Sequence, residues 1–424
     1  MQKIGFWPLF AIVIGGQVGS GIFMLPASLA PYGIFGILGL LFAAMGALSL
    51  AITFAMLCSY HPKTGGPHTY VQIAFGNKAA FFTGWTYWLV SWISSSAVVI
   101  AAMGYFVPII GNYPKEIYIT LEIAVLAFVT LINIGGVSSA GHFEVMIAIL
   151  KFTPLVIIPT VALLHFNYNN IILDPELITL QTSDLLSKVT LMTLWGFIGL
   201  ESATTPANAV RNPSRTIPIA IMAGTIFVAC IYMINTIGIM GLIPGGILKS
   251  SSAAYVEAAQ YLFGGKWHII ISLIATIVCL SALNAWVLAS GQIALGLSED
   301  GLMPKFFAKK NKYNAPVYSL MISGIGVIPL LFLTNAPTFT EQITAIIDFS
   351  VVAFLFVYFI CSISFVHIQI KKRNIKQMRN IIALFAILFC LWVLFNTDIK
   401  VILIASTFII SGIPLYIYQS YRKK

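Results

Sequence analysis

Leu194-Trp195-Gly196-Phe197-Ile198-Gly199-Leu200-Glu201-Ser202-Ala203 sets one carboxylate and two glycines in a stretch otherwise apolar enough to span a bilayer. A glutamate at membrane depth costs roughly 2.5–3.5 kcal/mol on insertion scales, so it faces a water-filled cavity, a partner or a proton path. Gly196 and Gly199 weaken the helix just before it. A helix interrupted in mid-membrane exposes carbonyls at the end of its first half and N–H groups at the start of its second. Such backbone is tolerated only where it lines a cavity or is buried in protein. The stretch reads as a binding site.

The surroundings agree. Of 424 residues, 59% are hydrophobic and 8% charged, against roughly 25% charged in soluble domains. The predicted class is an all-α integral membrane protein, a single transmembrane domain over 1–424. Apolar spans run at about 6–30, 36–58, 79–110, 117–136, 143–165, 189–209, 217–243, 268–297, 316–334, 343–370, 380–396 and 399–420. That is about twelve, each near the roughly 20 residues a helix needs. A signal peptide ending near Ser28-Leu29-Ala30 competes for the first span, but Pro31 and the internal glycines argue against it.

The net charge of +10 could suggest nucleic acid, yet the basic residues sort by loop. Seventeen lysines and arginines, including Lys3, Lys63, Arg211, Lys305–Lys312 and the run Lys371–Arg379, fall on one side and five on the other, with Lys151 inside a span. By the positive-inside rule both termini are cytoplasmic, and the basic face reflects topology and anionic lipid, with no nucleic acid partner. The five cysteines show no CxxC spacing and read as buried thiols, and no mid-membrane histidine pair suits haem or zinc. No cofactor or metal is expected.

The first span carries Gly15-Gly16-Gln17-Val18-Gly19-Ser20-Gly21-Ile22-Phe23. Without bulky side chains at Gly19, Ser20 and Gly21 a ligand can approach the backbone, and the N–H groups opening the second half-helix suit a carboxylate. Helix packing through Gly15 and Gly19 is the alternative. The second Gly-interrupted span, around Glu201, suggests two halves of five helices, about 6–165 and 189–370, with extra helices at about 380–420. A modest echo supports this: Tyr70–Gly76 follows span two, and Tyr255–Gly264 follows span seven. Five is odd, so the halves lie in opposite orientations, with substrate between them.

Single residues leave more open. Lys151 either snorkels or is a buried charge. Trp286, after Cys279–Ala285, either packs or offers its ring face to a cation. Glu122, Glu144 and Asp348 sit near span ends, where water is close, and rank below Glu201. An intramembrane enzyme is the remote alternative: it would need a catalytic set at membrane depth, and only Glu201 with Lys151 is on offer.

These residues resemble the amino acid–polyamine–organocation transporters, specifically the basic amino acid/polyamine antiporters that exchange arginine for agmatine or putrescine for ornithine. The signatures are Gly19–Phe23 with Leu25-Pro26, Gly65-Gly66, Leu194–Ala203, Arg211-Asn212-Pro213 with Ile217–Ala220, and Asp300-Gly301 with Pro304. The resemblance implies a 5+5 inverted repeat with spans one and six broken, a homodimer in the cell membrane, and exchange of a basic amino acid for a related amine or amino acid. It also implies roles: Ser20 and Gly21 for the substrate carboxylate, carbonyls near Gln17, Trp195 and Ile198 for its amino group, Trp195 above it and Trp286 beneath. Tyr87 and Glu201 would form the inner gate, with Glu201 sensing protons. The arginine exchangers carry asparagine where Ser95 stands, so ornithine, lysine or a polyamine remains open. Lys151 resembles a lysine of sodium-independent members, where its ammonium occupies the place of sodium, so proton-coupled uptake is the alternative to exchange.

Overall fold

The computed structural model describes residues 3–111, 113–251, 253–333, 339–371 and 377–422. Lys372, Arg373, Lys376, Lys423 and Lys424 of the basic segments, and the side chain of Asp348, lie outside what is described. The helices are α1 (Phe6–Gln17), α2 (Gly21–Leu29), α3 (Ile34–Tyr60), α4 (Pro67–Ile110), α5 (Lys115–Ile134), α6 (Val137–Leu164), α7 (Thr182–Leu194), α8 (Pro213–Leu242) and α9 (Gly245–Leu248). They continue with α10 (Ala254–Phe263), α11 (His268–Glu299), α12 (Val317–Leu333), α13 (Phe339–Lys371), α14 (Gln377–Phe395), α15 (Ile399–Ile410) and α16 (Ile413–Arg422).

Among the described residues nine helices are long and apolar enough to cross a bilayer, ten if the bent pair α1 and α2 counts as one span. Two further spans read from the sequence differ. The segment 189–209 is α-helical only to Leu194, and α12 has 17 residues. Proline sets several starts: Pro67 and Pro213 occupy the first turns of α4 and α8, where the missing N–H costs nothing.

Helices α4, α11 and α13 are the most enclosed, and the α15–α16 segment the least. Outward-facing Ile149, Leu164 and Phe395 present apolar side chains, as a lipid-facing surface requires. The echo noted in the sequence has a backbone counterpart. The helical segment 67–75 ends at Gly76 (φ 81°, ψ −175°), and α10 ends at Gly264 (φ 66°, ψ −174°); each leads into a long, enclosed helix.

Candidate functional site

Helix α1 stops at Gln17, Val18 is extended, and α2 restarts at Gly21 with a 43° change of direction. The second break is longer. After Leu194 the chain makes a 3₁₀ turn over Trp195–Phe197, extends at Ile198, reverses at Gly199 (φ 105°), and continues as 3₁₀ turns at Ser202–Thr204 and Ala207–Ala209. No α-helix resumes before Pro213, so the second half-helix expected here is a run of turns. It is held from outside: Ile4 N–H donates to the Ala209 carbonyl, Arg211 N–H to the Ile4 carbonyl, and Gly65 N–H to the Thr205 carbonyl, each at 2.9 Å.

The two breaks touch. A Cβ at Gly199 would lie 3.0 Å from the Gly16 carbonyl and 3.2 Å from the Trp286 ring, and one at Gly21 would lie 3.6 Å from Trp195 Cδ1. Gly199 thus combines a positive φ with backbone-to-backbone contact. Gly199→Ala is expected to cost at least roughly 1–3 kcal/mol in backbone strain and to lower both the melting temperature and transport; unchanged values of both would contradict this packing.

Polar groups converge at the breaks. Tyr232 OH donates to the Gln17 carbonyl (3.4 Å), and Asn235 Nδ2 to the Ile22 carbonyl (2.7 Å). Gln17 Nε2 donates to Thr225 Oγ1 at 3.4 Å. Gln17 Oε1, Ser202 Oγ and Asn235 Oδ1 are buried and, among the described residues, meet no hydrogen-bond partner. Buried polar atoms are normally satisfied, so these three are available to the N–H or O–H groups of a ligand. Ser20 is buried and its carbonyl accepts from Tyr105 OH at 3.5 Å.

Glu201 is fully buried. Tyr87 OH donates to its Oε1 at 2.8 Å and Tyr358 OH to its Oε2 at 2.5 Å, while Tyr358 OH also accepts from Gly199 N–H at 3.2 Å. The carboxylate therefore ties α4 and α13 to the second break. Phe354 fills the space between Trp286 and Tyr87, with ring centroids 5.0 and 6.0 Å away. Sequence reasoning chose Glu201, Tyr87 and Trp286 but missed Tyr358 and Phe354, which are aromatics in an apolar helix with no local mark.

A second polar centre surrounds Lys151, which is buried, not snorkelling. Its Nζ donates to Ser281 Oγ at 2.5 Å and lies 3.8 Å from Glu144 Oε1. Ser281 Oγ donates to Glu144, as does Asn284 Nδ2 at 2.8 Å, and Asn133 Nδ2 donates to Asn284 Oδ1 at 3.0 Å. The chain of bonds joins α5, α6 and α11. A Cβ at Gly15 would collide with the Glu144 carboxylate, so that glycine lets α1 pack on the network. Neither Glu144 nor Glu122 is near water, contrary to the reading from span ends; both are buried.

The remaining candidates are placed differently. Ser95 Oγ donates to the Ser91 carbonyl of its own helix at 3.0 Å and makes no bond to either break. Ile198 is buried, and its N–H donates to the Trp195 carbonyl at 3.2 Å, closing the 3₁₀ turn. At the basic face His68 Nε2 lies 3.1 Å from Asp300 Oδ2, and Lys63 donates to the same carboxylate. Burial pushes the Asp300 carboxyl up, but the hydrogen bonds and charges of His68 and Lys63 outweigh it and hold the group below the usual carboxylate range. A depressed carboxylate contributes stability above its unfolded pKa and loses it only as pH falls through its folded one. This tie between α4 and α11 therefore persists at neutral pH.

A family model described as amino acid permease matches residues 4–417. The chain is 28% identical to the putrescine transporter PotE of Haemophilus influenzae over 426 residues, covering 99% of this chain and 98% of that one. It is 29% identical to the putrescine transporter PotE of Escherichia coli K12 over 429 residues, with 98% and 95% covered. Against the cadaverine/lysine antiporter of Escherichia coli K12 it is 29% identical over 338 residues, with 78% and 75% covered.

Proposed function

Because the chain belongs to the amino acid permease family, we propose that this multi-pass membrane transporter is a sodium-independent exchanger. It swaps a basic amino acid for a related amine or amino acid bound between the two breaks. The observation that carries this is the contact of the breaks at Gly16 and Gly199, with Trp286 against the same glycine and Trp195 against Gly21. Ser20 and Gly21 take the carboxylate at the start of α2, where unpaired N–H groups and the positive helix end favour an anion. Carbonyls near Gln17, Trp195 and Ile198 take the amino group. Relatives named for putrescine and for cadaverine and lysine support an amine-bearing substrate, and Ser95, bonded within its own helix, is not assigned a guanidinium partner.

In this reading the halves 6–165 and 189–370 are inverted repeats, which the matching glycine geometry at Gly76 and Gly264 supports. The basic face, with both termini, is cytoplasmic. Tyr87 and Glu201 close the inner gate. The test is uptake of labelled lysine, ornithine and putrescine into proteoliposomes with choline replacing sodium. Uptake is expected only when unlabelled substrate is inside; strict sodium dependence would overturn the proposal. The buried Lys151–Glu144 pair favours one second reading, proton-coupled uptake, because such a pair can exchange a proton. Uptake driven by an imposed pH gradient without internal substrate would select it.

Trp286 tests the cation reading separately. A ring face adds about 0.5–2 kcal/mol to a desolvated cation, so Trp286→Leu is expected to weaken lysine binding by roughly 2–30-fold. An unchanged affinity and an unchanged preference for basic over neutral amino acids would reduce Trp286 to packing.

A further inference from the structure

A cavity of about 410 Å³ opens on the basic face, and its wall reaches Asn208 and Ala209 at the far end of the second break. Its wall includes Lys3, Lys312, Gln292 and the start of α6 at Val137, Ser138 and Ser139. The first helical hydrogen bond of α6 runs from Ala140 N–H to the Gly136 carbonyl (3.1 Å), so the N–H groups of Val137, Ser138 and Ser139 have no partner within the helix. At the end of a 28-residue helix these groups carry the positive pole of the dipole.

Three further observations point to an occupant. Gln292 is 4% exposed, lines the cavity, and among the described residues its amide meets no hydrogen-bond partner. The cavity wall as described contains no carboxylate, and of its lysines only Lys310 is neutralised, by Glu299 at 2.6 Å. The loop carrying Lys312 is also fixed: Asn311 Nδ2 donates to the Ile134 carbonyl at 2.8 Å, and Asn311 Oδ1 accepts from Tyr313 N–H (2.9 Å) and Ala315 N–H (3.0 Å). Excess positive charge, a helix start and a buried unmatched amide around one space form a donor-rich anion cradle.

We propose that this cavity is a binding site for a phosphate oxyanion, held by the α6 N-terminus, Gln292, Lys3 and Lys312, none of which meets the substrate in the exchange reading. Phosphate fits better than carboxylate because two unneutralised ammonium groups and several N–H donors match three or more oxygens. The phosphate can belong to a lipid headgroup or be free in solution, since both present the same chemistry to this face.

The test uses the full chain in detergent, titrated with inorganic phosphate at constant ionic strength, with melting temperature as the readout. A saturable rise is expected for wild type, with apparent affinity weakened at least ten-fold in Lys3→Ala/Lys312→Ala and in Gln292→Met. The lysines of the double variant are exposed, so it keeps the test valid should the buried Gln292 variant fold poorly. Absence of saturation in wild type, equal affinity in the double variant, or an equal response to acetate would each overturn the proposal. In nanodiscs, suppression of the phosphate response by phosphatidylglycerol relative to phosphatidylcholine identifies the headgroup as occupant; an undiminished response identifies the free ion. Neither readout requires transport, so failure here is distinguishable from failure of the exchange reading.

Discussion

Glu144→Gln is expected to destabilise the transporter more than any other single substitution considered, by about 3–5 kcal/mol, because it strands a buried ammonium. Among the described residues Lys151 would keep Ser281, the ring of Phe152, 5.1 Å from its Nζ, and a neutral amide in place of its counter-charge. The reverse change, Lys151→Met, should cost less, since Glu144 retains donors from both Ser281 and Asn284. The double variant Glu144→Gln/Lys151→Met removes both charges and is expected to recover most of the loss. Melting temperatures of the four proteins in one detergent check this. Equal effects of the two single changes, or simple additivity in the double, would show that the groups do not act as a pair.

Glu201→Gln carries the second large effect, on transport and its pH dependence. Both carboxylate oxygens accept phenol hydrogens, an arrangement that suits a charge, and hydrogen bonds to charged groups contribute about 1.5–3 kcal/mol against roughly 1 for neutral ones. Glutamine keeps the size but turns an amide N–H₂ toward one phenol, loosening the tie between α4, α13 and the second break. Exchange is expected to fall about ten-fold or more, and its dependence on pH between 5 and 8 to flatten, because the group proposed to sense protons is replaced by one that cannot bind them. A variant that keeps the wild-type pH profile would remove Glu201 from proton sensing.

The two breaks were legible because their signals are local. Glycine weakens a helix wherever it stands, and a carboxylate inside an apolar run is costly whatever surrounds it, so Gly19–Gly21 and Gly196–Glu201 identify themselves from composition alone. Their partners were not legible. Tyr358 lies 157 residues from Glu201, and Ser281 lies 130 residues from Lys151; neither has a neighbour in sequence that marks it. Glu144 was misread for a related reason. Its place near a span end suggests water, but α6 packs on α1 at Gly15 and on α11 at Ser281 and Asn284, which removes the solvent. The shape of the second break was also out of reach, since its run of 3₁₀ turns depends on Gly65 and Ile4, both distant in the chain.

Binding of labelled substrate to Gly21→Val tests the placement of the site most directly. At Gly21 the nearest atoms to a Cβ are Trp195 Cδ1 at 3.6 Å and Tyr232 Oη at 3.9 Å, ordinary contact distances, and its φ lies outside the glycine region. Valine therefore leaves the backbone intact while its methyl groups fill the space against Trp195, the place proposed for the substrate carboxylate at the start of α2. With the melting temperature held within a few degrees of wild type, the account predicts that saturable binding of labelled lysine is lost. Wild-type affinity in a folded Gly21→Val protein would place the substrate elsewhere and contradict it.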